Sequence, residues 1–212
     1  MWFALAPSTL KAHEADPNVR RSGVEREVMW VPWEGPGLEH LRLLTSDGGV
    51  MANGLVIGLE AGRPFRIGYE IRCDGHWRVR EVRAAAPDSE RPVLELLADG
   101  EGHWKRGSGE PIPELDGCID VDISATPFTN TLPIRRLGLE PGESEVLAVT
   151  YIRIPESLVG PERQRYGCLE AQANGGLYRF EALPSGFTAE LPVDAEGLVI
   201  DYPGLFRRVW SG

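Results

Sequence analysis

The chain has 212 residues, enough for one all-β domain with a substantial buried core, and its length does not call for a second. A formal charge of −10, from 32 acidic and 22 basic residues, argues against a nucleic-acid-binding surface and against attraction to anionic membranes. Cys73, Cys118 and Cys168 are odd in number and widely spaced, with no CxxC or Cys/His cluster, so neither disulfides nor a zinc site are expected and a reducing cytoplasm fits best.

The opening "MWFALAPS" is too short for a signal-peptide core and has no basic residues before it, and no later stretch reaches membrane-spanning length. A chain that is neither exported nor inserted is therefore expected. Residues 7–27 are polar and aperiodic, which marks 1–27 as a loose N-terminal extension, with Met29 close to the start of a single domain over 28–212.

From "VMWVPW" onward the dominant period is two. Phe65, Ile67, Tyr69, Ile71 and Cys73 alternate with Arg66, Gly68, Glu70 and Arg72, and the run ends at the turn signal "DGHW" before "WRVREV", which predicts a hairpin. Further runs follow at "VLELLAD", "CIDVDIS", "EVLAVTYIRI", "RYGCLEA", "LYRFEA", "FTAELPV" and "GLVIDY", spaced as in an antiparallel meander. Only "PESLVGPERQ" and "PGLFRRVW" are predicted as short helical pieces. In "EVLAVTYIRI" both faces are apolar, Val146, Ala148, Ile152 and Ile154 on one side and Leu147, Val149 and Tyr151 on the other, so each face needs a cover. The expected fold is mainly β, either a sandwich or a curved sheet around an apolar cavity.

The densest chemistry lies in "CIDVDISATPFTNTLPIRRL". Asp120 and Asp122 share one face of a strand, about 7 Å apart, a spacing open to acid–base work or to an Arg-paired face. Thr126, Thr129 and Asn130 can stabilise a turn or meet ligand hydroxyls, and Phe128, Trp77, Trp104 and Tyr151 offer aromatic surface for a sugar's C–H face or for a core. Arg135 and Arg136, on a strand continuing from Leu132, are expected on opposite faces, one paired with Asp120 or Asp122 and one in solvent. His76 and His103 each precede a Trp and read as hairpin-turn residues, and no nucleophile motif accompanies them. No cofactor or metal motif is present. These eleven residues, Asp120, Asp122, Thr126, Phe128, Thr129, Asn130, Arg135, Arg136, Trp77, Trp104 and Tyr151, form the candidate ligand-binding set.

The segment "GCIDVDISATPFTNTLPIRRLGLEPGE", with "RVREV", "LLADGEGHW", "YIRIP", "QRY" and "VDAEGLVIDYPGLFRR", closely resembles the bacterial family described as glycolipid-binding, formerly a domain of unknown function. The resemblance runs from about Trp30 to Arg208. It implies an antiparallel sheet curled into an open half-barrel around an apolar cavity, similar to the periplasmic carriers of lipoproteins. It also implies a lipid or glycolipid as ligand. A hydrolase using Asp120 and Asp122, and a non-catalytic scaffold that pairs through a sheet edge, are the alternatives.

Overall fold

The computed structural model describes residues 23–87, 89 and 92–212, so most of the expected extension lies outside the described residues. Seven strands form a meander: β1 (Val24–Pro32), β2 (Leu38–Ser46), β3 (Gly49–Glu60), β4 (Arg63–Cys73), β5 (Val79–Ala85), β6 (Leu94–Ala98) and β7 (Trp104–Arg106). Consecutive strands pair antiparallel, and two-residue turns join β2 to β3 and β3 to β4, as the alternation and the Gly-containing turn signals dictate. The strand β1 starts at Val24, four residues before the boundary read from the sequence, because Val24 to Glu27 already pair with Thr45 to Arg42.

The second sheet contains β8 (Asp120–Ile123), β9 (Ser144–Arg153), β10 (Leu158–Gln172), β11 (Gly175–Ala182) and β12 (Phe187–Asp194). The chain then returns to β1 through β13 (Asp201–Tyr202) and β14 (Phe206–Ser211), which extend the first sheet to nine strands. Its end strands, β13 and β7, do not pair with each other, so the sheet stays open.

One connection breaks the antiparallel rule. The strands β8 and β9 run parallel, and parallel neighbours need a crossover rather than a hairpin. The crossover carries a 3₁₀ turn (Phe128–Asn130) and the helix α1 (Thr131–Leu137). Phe128 and Leu132 pack into the core of the nine-stranded sheet, and Ile134 packs into the core of the second. This segment is a wedge between the sheets, contributing side chains to both cores.

The structure corrects three expectations. Arg135 and Arg136 sit on a helix, not a strand; Pro133 is tolerated within the first turn, and Gly138 ends the helix at φ 58, its N–H 3.3 Å from the Ile134 carbonyl. The two predicted helical pieces are instead the start of β10 and the strand β14. Pairing with β9 and with β1 holds these segments extended, and such partners override local propensity.

The doubly apolar β9 is explained by its position. Ile152 and Ile154 belong to the first core, whereas Leu147 and Val149 belong to the second. Both histidine-bearing turns use one device: Asp74 Oδ1 accepts the backbone N–H groups of His76 and Arg78, and Asp99 Oδ1 those of Glu101 and His103. Cys73, Cys118 and Cys168 are buried and unpaired.

Candidate functional site

On β2 the inward phase is Glu39, Leu41, Leu43, so an acid occupies the first position of an apolar row. Its cross-strand neighbours are Trp30 and Val56, and it is only 3% exposed. Tyr69 Oη and Thr126 Oγ1 both donate to Glu39 Oε1, at 2.5 and 2.6 Å. Thr126 Oγ1 also accepts the Phe128 N–H at 3.0 Å, so one carboxylate oxygen ties the wedge to the large sheet. Tyr69 reaches Glu39 because its partner on β3 is Gly54; a Cβ there would stand 2.2 Å from the tyrosine ring. Gly within a strand here marks close approach of a ring, not a bulge.

Glu39 Oε2 is buried and has no hydrogen-bond partner among the described residues. Burial pushes the Glu39 carboxyl up to about 7 from its ordinary 4.5, against the lowering effect of the two hydroxyl donors. A folded-state value above the unfolded one means that folding favours the protonated acid. The associated stability is complete below about pH 4.5 and is lost as pH rises through about 7. The shift corresponds to roughly 3 kcal/mol. Urea denaturation of the wild type and Glu39→Gln at pH 5 and pH 8 checks this: the variant gains on the wild type by about that amount at the higher pH. A stability difference that does not change with pH refutes the assignment.

Glu39 lines a cleft of about 480 Å³ between the sheets. Its wall is apolar, from Trp30, Val56, Phe65, Ile154 and Phe206, with Ser124, Ala125 and Tyr151 contributed by the end of β8 and by β9. Leu59 and Leu205, 44% and 41% exposed, stand at its mouth with Glu34, Glu60, Glu156 and Arg153. A second space of about 200 Å³ adjoins it, sharing Ser124, Tyr151, Leu205 and Phe206, and is lined by Asp122, Thr126, Asn130, Glu162 and Gln164.

The candidate set divides accordingly. Tyr151 lines both spaces, and Asp122, Thr126 and Asn130 line the smaller one. Asp122 accepts from Thr129 Oγ1 at 3.0 Å and from Gln164 Nε2 at 2.6 Å, while Asn130 Oδ1 accepts from Tyr166 Oη at 2.9 Å. Asp120 is fully buried and takes three hydrogen bonds of 2.6–3.1 Å from the Arg136 guanidinium. Phe128 and Trp104 are core residues, Trp104 donating from Nε1 to the Cys118 carbonyl at 2.7 Å. Trp77 and Arg135 lie elsewhere, in a separate small pocket, with the guanidinium carbon 5.3 Å from the ring centre. One arginine is thus inward and one outward, as expected, although a helix and not a strand separates them. Both D-x-D carboxyls are bonded to neighbours.

Sequence reasoning missed Glu39, Tyr69 and Gly54. The available signal was phase: Glu39 alternates in register with Leu41 and Leu43, which a solvent-facing acid does not do.

The fold and site define an open, mainly β protein of two sheets with a helical wedge between them and a cleft lined by apolar side chains and a buried carboxyl. The family model described as "Putative glycolipid-binding" matches residues 27–208, and the chain belongs to that family. It is similar to a DUF1089 family protein of Pseudomonas aeruginosa known from a crystal structure, at 41% identity and a TM-score of 0.72, over 84% of this chain and 95% of that one. No curated protein matches the chain. Among the described residues no helix is long and apolar enough to cross a membrane.

Proposed function

We propose that the protein binds an amphipathic lipid or glycolipid in the cleft between its sheets. The observation that carries this reading is the cleft: about 480 Å³, with an apolar wall from Trp30, Val56, Phe65, Ile154 and Phe206, polar groups from Ser124 and Tyr151, a buried acid, Glu39, and exposed charged residues, Glu34, Glu60, Arg153 and Glu156. Sites for small ligands have this character, typically some 300–1,000 Å³ with a few convergent polar groups. The family name points the same way. The eleven residues of the candidate set act in this reading in two ways. Tyr151 lines the cleft and Asp122, Thr126 and Asn130 line the smaller space adjoining it, and the remainder hold the wedge and the outer turns.

Ala125 lies on the cleft lining and is only partly buried, so a larger side chain there has cleft space to occupy. Ala125→Trp is expected to abolish binding of octyl β-glucoside, read from the tryptophan fluorescence change on titration of the wild type, while the urea midpoint changes little. Unchanged affinity in a folded variant removes the cleft as the binding site.

A further inference from the structure

We propose that Glu39 selects the head group: a non-anionic amphiphile enters the cleft head-first and donates a hydrogen bond, such as a sugar O–H, to Glu39 Oε2. This rests on the reading of the cleft as a lipid site. The residue is 3% exposed, lines the cleft, and has one oxygen satisfied twice over and the other unpartnered among the described residues. A buried acceptor left unpaired is costly, and a donor arriving with the ligand removes that cost.

A chain entering tail-first would set methyl groups against the bare oxygen and leave the cost in place. Entering head-first, the ligand places its chain along Val56, Phe65 and Ile154 towards Leu59 and Leu205, which otherwise expose apolar surface beside the opening. The charge of the lining decides what kind of head is admitted. Above about pH 7, where Glu39 is ionised, four carboxylates, Glu34, Glu39, Glu60 and Glu156, face one guanidinium, Arg153, among the described lining residues. A sulfate, phosphate or carboxylate head would approach like charges and, at the inner end, meet an acceptor where it needs a donor.

The test compares octyl β-glucoside with octyl sulfate, which share a chain and differ in the head, at pH 8, where Glu39 is ionised, and below micelle-forming concentrations. The wild type is expected to favour the glucoside by about tenfold or more. Glu39→Gln keeps the shape and an acceptor for Tyr69 and Thr126 but turns the free atom into an N–H donor. Its preference for the glucoside is expected to shrink by about tenfold, mainly through tighter sulfate binding. A purely structural role for Glu39 would weaken both ligands alike and leave the ratio intact, which overturns the proposal while the cleft reading stands. Wild-type affinity equal for the two heads overturns it as well, and settles the matter even if the variant fails to fold. Binding of neither ligand by the wild type removes the cleft reading itself.

Discussion

Arg136→Ala lowers the unfolding free energy by about 3–5 kcal/mol, whereas Arg135→Ala, its neighbour on α1, changes it by less than about 1 kcal/mol. The difference is one of burial. Asp120 is fully buried and both its oxygens are bonded to Arg136, so removing the guanidinium leaves a desolvated carboxylate without a counter-charge. Burial already raises the Asp120 carboxyl, held down only by Arg136, so the variant's deficit shrinks in acid as Asp120 takes a proton. Arg135 is exposed, contacts the Ala195 carbonyl at 3.5 Å and stacks over Trp77, contacts that water replaces at little cost. Urea denaturation of both variants at neutral pH and near pH 4 measures the effects. Equal, small losses would mean that the Asp120–Arg136 pair does not anchor the wedge.

Phe128→Ala is the second large effect, about 3–5 kcal/mol, the range for removing a fully buried aromatic ring. Phe128 has no exposed surface and belongs to the core of the nine-stranded sheet. Its N–H also bonds to Thr126, which in turn bonds to Glu39, so a loosened ring frees the contact that fixes the cleft's inner end. Phe187→Ala, at a ring 38% exposed on β12, serves as the comparison and costs far less. Denaturant midpoints give the stabilities. A loss at Phe128 no larger than at Phe187 contradicts a wedge packed into both cores.

The sheets were legible in the sequence because period-two alternation persists over runs as long as β4, where Ile67, Tyr69, Ile71 and Cys73 all turn inward as expected. The wedge was not. The seven residues of α1 span two turns, too few for a 3.6-residue period to emerge, and Pro133 within it reads as a loop signal. Thr126, Thr129, Asn130 and Thr131 have the composition of a surface turn, yet they are 0–4% exposed. Their partners are remote: Glu39 lies 87 residues from Thr126, and Tyr166 lies 36 from Asn130. Local patterns carry no trace of such pairings. The inward phase of Glu39 on β2 did carry one, and with Gly54 opposite Tyr69 it marks the cleft's inner end.

The most direct measurement is native mass spectrometry of the wild type and Ala125→Trp, each purified from its own host without detergent. A bound amphiphile of defined mass on the wild type, absent from the variant and displaced by added octyl β-glucoside, is the expected result. A wild-type protein that carries no amphiphile and takes up no glucoside, or a variant that retains the same adduct, contradicts the assignment of the cleft as a lipid-binding site.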